Sequence, residues 1–279
     1  MKRWRKKRVK SKKLQRGLIL SSFIFLLAGC GNSQTGQKGL WDHAIDHLSE
    51  FIKYLSHLAG DNYALGIILF TIITRIILLP IMQYQYKATR KTAELQPEIK
   101  KLREKYSARD RQTQLELQQA MKELNEKHGV NQLAGCLPAL IQMPIMIALY
   151  QAILTTKELQ TGHFLWAELG KVDPYFILPA LAAFFTWLNG YLTLQGQTKD
   201  AQQLKFMQLY MLPAMIFFFG FSLNAALSLY WVVGNIFAVG QTLLLNNPYK
   251  LRREREQKLK EEKAKARALK KAMLKATKK

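Results

Sequence analysis

Apolar residues in this chain gather into five blocks, and the charged residues gather between and beyond them. The blocks run over residues 63–81, 134–153, 175–193, 207–222 and 224–244, and each reads as a helix able to cross a bilayer, which takes about 20 apolar residues. Ahead of the first block, Trp41, Ala44, Ile45, Leu48, Ile52 and Leu55 recur at intervals of three and four, with Asp42, Asp46, Glu50 and Lys53 off that stripe. This predicts an amphipathic helix lying flat in the outer interface, although a helix packed on protein would show the same spacing. Residues 82–133 are charged and helical in pattern: Pro97 opens a helix after Leu95-Gln96, residues 107–110 form a turn, and a second helix covers 111–127. Leu95, Ile99 and Leu102 facing Leu115, Leu117, Met121 and Leu124 would make a helical hairpin with a thin seam, mobile because little apolar area holds it. The fold class is therefore all-α, a polytopic membrane protein of five transmembrane helices.

One full charge interrupts the first block. Arg75 sits in YALGIILFTIITRIILLPI, with Thr71 and Thr74 beside it at helical spacing. A charge at mid-membrane depth costs about 2.5–3.5 kcal/mol on insertion scales, so it needs water or a counter-charge. The other four blocks contain no Asp or Glu to supply one. Two readings stay open. The guanidinium could sit in a wet recess, available to a negative group brought by another molecule. It could equally snorkel to the nearer interface, since it lies about 4.5 Å past the midpoint of the block.

Polar residues on other blocks bear on that choice. Gln142 lies in the second, where Pro138 and Pro144 free backbone carbonyls; Thr186, Asn189 and Thr193 form a stripe on the third; Ser228, Trp231 and Asn235 share a face of the fifth. Each alone reads as an interhelical hydrogen-bonder. Together with Arg75, they outline a candidate groove of Arg75, Gln142, Asn189, Trp231 and Asn235.

The net charge of +23 would suggest nucleic acid if it were spread evenly, but it is not. Residues 31–62 carry two basic and four acidic side chains, 82–133 eleven and seven, 154–174 two and three, 194–206 two and one, and 248–279 fourteen and four. With 31–62 outside, every loop obeys the positive-inside rule and the C-terminus is cytoplasmic. The charge is thus largely a topology signal. The lysine-rich tail over 248–279 still invites contact with ribosomal RNA or anionic lipid.

The first sixteen residues hold ten Lys or Arg and no acid, and an apolar run over 17–27 ends in Leu27-Ala28-Gly29-Cys30. That is a signal peptide over 1–29. Leu-Ala-Gly-Cys resembles the lipobox of bacterial lipoproteins, which implies diacylglyceryl transfer to Cys30 and cleavage before it; an uncleaved signal anchor is the other reading. The remaining cysteine, Cys136, reads as a small apolar residue at the start of a span, so no intrachain disulfide is expected.

No Gly-rich phosphate loop is present, and of the five histidines only His43 and His47 stand i, i+4, without a clear third or fourth ligand. No cofactor, metal or enzymatic chemistry is expected. A proton-coupled ion or small-anion transporter would carry a carboxylate or histidine in its spans, and these blocks have neither. A passive ribosome anchor would use the basic tail but have no use for Arg75.

Three stretches together resemble one family, the YidC membrane protein insertases, which are related to mitochondrial and chloroplast insertases. They are Thr74-Arg75-Ile76-Ile77-Leu78-Leu79-Pro80; His128-Gly129-Val130-Asn131 running into Gly135-Cys136-Leu137-Pro138 and Gln142-Met143-Pro144-Ile145; and Leu229-Tyr230-Trp231 with Asn235 and Gln241 beyond. The resemblance covers about 60–250 and, with the lipobox, is to the five-span form of Gram-positive bacteria. It implies five helices around a polar groove open to the cytoplasm and to lipid, with Arg75 as its charge. It also implies a mobile cytoplasmic hairpin and nascent membrane proteins as clients, with the ribosome, the Sec translocon and membrane lipids as candidate partners. One departure is the turn before the fifth block, usually Phe-Pro-Ala-Gly in the family and here Leu223-Asn224-Ala225-Ala226.

Overall fold

The computed structural model describes residues 39–130, 137–197 and 205–276, which are mostly helical; the signal segment, Cys30 and Cys136 lie outside them. In chain order the elements are α1 (Leu40–Leu58), α2 (Tyr63–Glu94), α3 (Gln96–Lys105), α4 (Arg111–Lys127), α5 (Leu137–Thr155), α6 (Lys157–Thr161), β1 (His163–Phe164), β2 (Ala167–Glu168), α7 (Ile177–Gln195), a π-helical turn (Met207–Met211), α8 (Leu212–Gly220), α9 (Ala225–Leu245) and α10 (Pro248–Ala276). α2, α7 and α9 are long and apolar enough to cross a membrane, and Leu140–Thr155 and Met207–Gly220 are shorter apolar helices. The chain divides into two compact units, Met1–Phe70 with Cys136–Lys171 and Thr71–Gly135 with Val172–Lys279.

In the first unit, α1 turns the stripe Ile45, Ile52 and Leu55 inward and packs on α5. Trp41 Nε1 donates to Gln151 Oε1 at 2.6 Å, and Lys53 Nζ pairs with Glu158 Oε1 at 2.9 Å, so both ends of the helix are tied to protein. Its apolar stripe is therefore covered by the chain itself, while Phe51, Tyr54 and Leu58 stay exposed. Gly60 and Asp61 turn the chain in left-handed geometry (φ 74° and 61°), and Asn62 Oδ1 accepts from the Leu65 amide at 3.1 Å to start α2. Gly66 then lets α2 meet α1: a Cβ there would stand 2.9 Å from the Ile52 carbonyl oxygen and run into Ser56 Oγ. Residues 163–168 form a β-ladder with His163 opposite Glu168, turning at Leu165 (φ 53°); Ala167 in the ladder and Leu159 and Leu169 on either side of it in the chain are buried. These two short strands aside, the described residues are mostly helical, in keeping with the all-α expectation. The ladder is only two residues long on each side, too short for periodicity to register.

In the second unit, α2 does not stop at 81 but runs through Pro80 to Glu94. Proline costs the helix one backbone hydrogen bond without ending it, a loss that apolar helices packed on neighbours tolerate. The hairpin follows. Pro97 occupies the first turn of α3, Asp110 caps α4 by accepting from the Thr113 amide at 2.9 Å, and Gly129 (φ 64°) turns the chain after it. Leu95 and Ile99 are buried and Leu117, Met121 and Leu124 half-buried, but Leu115 is 58% exposed and outside the seam. Two residues on a helix are about 200° apart, so Leu115 and Leu117 cannot share a face.

α7, α8 and α9 form a bundle whose internal contacts give their directions. Asn235 on α9 bonds to Ala182 and Thr186 on α7, and Thr242 further along α9 bonds to Asn189 further along α7, so these two run parallel. α2 is parallel to α9 as well, because Arg75 meets Gly234 and Tyr86 Oη donates to the Asn246 carbonyl at 3.4 Å. α8 runs the other way along α7: Gly220 rests on Pro179, while Gln208, just before α8, lies against Gly190. Buried Asp173 accepts from the Tyr175 and Leu178 amides at 3.1 and 2.7 Å, at the start of α7. Asn224, in the departing turn, caps α9 through the Leu227 amide at 3.1 Å. At the other end, Arg255 of α10 donates to the carbonyls of Gln195, the last residue of α7, and of Gln197 just beyond it, which anchors the first turns of the basic helix.

Candidate functional site

The site begins with the orientation of one helix. α2 turns Arg75 toward α9, where the side chain is only 9% exposed. Its guanidinium abuts α9 at Gly234 through the Nε–Nη2 edge: a Cβ at that position would stand 3.1 Å from both Cζ and Nε, and closer still to Nη2. Tyr230, one turn earlier on α9 and fully buried, is near enough to interact with the charge. Met82, two turns along α2, brings its sulfur to 4.0 Å from Nη1. None of these neighbours neutralises a cation. Arg75 Nε has no hydrogen-bond acceptor among the described residues, and no ion pair among them includes Arg75.

The surroundings extend this donor-rich character along α2. Gln83 and Gln85 bury amide nitrogens that also lack acceptors among the described residues. Helical geometry puts them on either flank of the line through Arg75 and Met82. The side chain is thus folded against a neighbouring helix and is not extended to the surface. Buried donors in this state favour an acceptor that arrives from elsewhere, since leaving them unmade costs about 1–3 kcal/mol each.

The other candidate residues divide. Arg75, Asn189, Trp231 and Asn235 belong to one unit, and Gln142, half-buried, belongs to the other. Asn235 Nδ2 donates to Thr186 Oγ1 at 2.7 Å and to the Ala182 carbonyl at 3.1 Å, and Asn189 Oδ1 accepts from Thr242 Oγ1 at 2.8 Å. These amides hold α7 to α9. Trp231, half-buried, sits between Tyr230 and Val232 on α9. Gly234 and Tyr230, which form the Arg75 seat, were not singled out by the sequence reading as site residues. The signal for Gly234 was weak but present: a glycine inside an apolar helix marks a close approach by something else. Among the described residues no cluster of His, Cys, Asp and Glu could hold a metal ion.

The model of the family described as 60Kd inner membrane protein matches residues 54–254, from the end of α1 into α10. The membrane protein insertase YidC of Enterococcus faecalis is 48% identical over 269 residues, covering 95% of this chain and 96% of that protein. The chain belongs to the YidC membrane protein insertase family. Another YidC family relative, the membrane protein insertase MisCA of Bacillus subtilis, is 45% identical over 239 residues, 83% of this chain and 91% of its own. A crystal structure described as an active YidC insertase with its first transmembrane domain resolved has a TM-score of 0.58 at 26% identity, covering 83% of this chain. This chain spans about half of that YidC chain, 53% of its length.

Proposed function

We propose that this chain inserts nascent integral membrane proteins into the bilayer and helps them fold, with Arg75 receiving acidic extracytoplasmic segments on their way across. The observation that carries this reading is the state of Arg75: nine-tenths buried on an apolar helix, with Nε lacking an acceptor and no carboxylate paired with it among the described residues. A carboxylate at about 4 Å from such a charge gains about 4 kcal/mol at an effective dielectric of about 20, enough to hold a polar tail part-way across. The apolar segment that follows leaves sideways into lipid, where burial drives the step. No bond is made or broken, so the activity is that of an insertase and chaperone without enzymatic chemistry.

In this reading Arg75, Gln142, Asn189, Trp231 and Asn235 line a groove open to the cytoplasm within five spans. The parallel run of α2, α7 and α9, with α8 opposed, supports an odd–even alternation of spans. The mature chain begins at a lipidated Cys30 outside, and α10 projects its basic residues into the cytoplasm toward ribosomal RNA or anionic lipid, with the Sec translocon as a further partner.

The test is insertion of a single-span substrate with an acidic translocated tail into vesicles holding the full chain. The parent and Arg75→Lys insert it and Arg75→Ala does not, while a neutral-tailed substrate is much less affected. Equal insertion by Arg75→Ala overturns the charged-groove reading.

A further inference from the structure

Gly234 is where the Arg75 guanidinium rests. A Cβ built on this glycine meets three of the guanidinium's heavy atoms, Cζ and Nε at 3.1 Å and Nη2 closer still. Contacts of this kind with the far end of a flexible side chain are relieved by moving that side chain. Here the side chain is the buried cation itself, with the Met82 sulfur of its own helix 4.0 Å from Nη1 and Tyr230 of α9 within electrostatic reach. Gly234 is itself buried, and the next residue, Asn235, is tied to α7, so the α9 backbone is poorly placed to yield.

We propose that Gly234 is a positioning residue: its missing side chain sets the lateral position of the Arg75 guanidinium, and through it the preference for acidic translocated segments. The proposal rests on the insertase reading of Arg75. Without a Cβ at 234, the Nε–Nη2 edge of the guanidinium abuts α9, where Nε is buried without an acceptor among the described residues. A methyl group at 234 moves the charge away from α9. If the charge retreats about 2 Å from a carboxylate it would meet at about 4 Å, the preference falls about ten-fold at an effective dielectric of about 20.

The experiment measures insertion of acidic-tailed and neutral-tailed substrates into vesicles by four full-length chains: the parent, Gly234→Ala, Arg75→Ala and the double variant. The expected result is a roughly ten-fold drop in the acidic-to-neutral ratio for Gly234→Ala. No further drop occurs when the same change is added to Arg75→Ala, because the two residues act as one unit. If Gly234→Ala folds only when Arg75 is also removed, the clash is with the guanidinium and the proposal holds. If Gly234→Ala fails to fold in both backgrounds, lowers insertion of both substrates equally, or leaves the ratio unchanged while Arg75→Ala lowers it, Gly234 does not act through Arg75 and the proposal is overturned. If Arg75→Ala itself leaves the ratio unchanged, the insertase reading of Arg75 fails first and takes this one with it.

Discussion

Asn235 and Thr186 are joined across two helices by a hydrogen bond of 2.7 Å from Nδ2 to Oγ1, and Thr186 Oγ1 in turn donates to the Ala182 carbonyl at 2.7 Å. The same Asn235 amide reaches that carbonyl at 3.1 Å. The result is a closed polar knot between α7 and α9, one residue after the glycine that seats Arg75.

That knot predicts a measurable coupling. In a double-mutant cycle of Asn235→Ala and Thr186→Ala, followed by unfolding in detergent, the interaction energy is about 0.6 kcal/mol and no more than about 1.7 kcal/mol. Strictly additive losses would mean the two side chains do not act on each other. Retained insertion in the folded double variant would assign the pair to packing and not to the groove.

The close approach of α1 and α2 predicts a steric penalty at Gly66. The carbonyl of Ile52 is backbone and cannot swing away from a new Cβ, while Ser56 Oγ is held by its own bond to that carbonyl at 2.8 Å. Gly66→Val therefore lowers stability by about 1–3 kcal/mol, read as a fall in melting temperature. Adding Ser56→Ala recovers part of the loss, because one of the two obstacles goes. A Gly66→Val chain that melts with the parent would show that the helices separate freely here.

The cap of α4 predicts an acid-sensitive helix start. The Thr113 hydrogen bonds lower the pKa of the Asp110 carboxyl from its ordinary value. A carboxylate depressed in the folded state stabilises fully above its unfolded pKa of about 3.9, and the contribution is lost as pH falls through the lower folded value. The Thr113 amide resonance therefore moves with acidification below about pH 4 in the parent. In Asp110→Asn, which keeps an acceptor but does not titrate, it stays put, and in Asp110→Ala the first turn frays at every pH. An Asn variant that titrates like the parent would remove Asp110 from the account.

Much of the architecture was written locally. Pro97 and Asp110 marked the hairpin's helix starts, because ring geometry and side-chain caps act on the backbone next to them. Residues 82–133 read as helical in pattern, but that α2 continues unbroken from the apolar block through Pro80 to Glu94 is seen only in the structure. Leu115 suits the seam by its apolar side chain alone, and its helical phase, two residues from Leu117, turns it out to solvent.

The apolar blocks, the amphipathic stripe of α1, the loop charges and the solitary Arg75 are legible along the chain, because each depends on which residues stand within a turn or two of each other. What each polar side chain faces emerges only from the packing of the helices. That packing tied Asn189 and Asn235 to the α7–α9 contact, covered the α1 stripe with protein, and brought Gly234 beneath the guanidinium. The physical reason is that an apolar helix looks the same in sequence whether lipid or another helix lies against it. The partner is chosen by contacts between residues far apart in the chain, and neither residue of such a pair carries the other's position in its own local pattern.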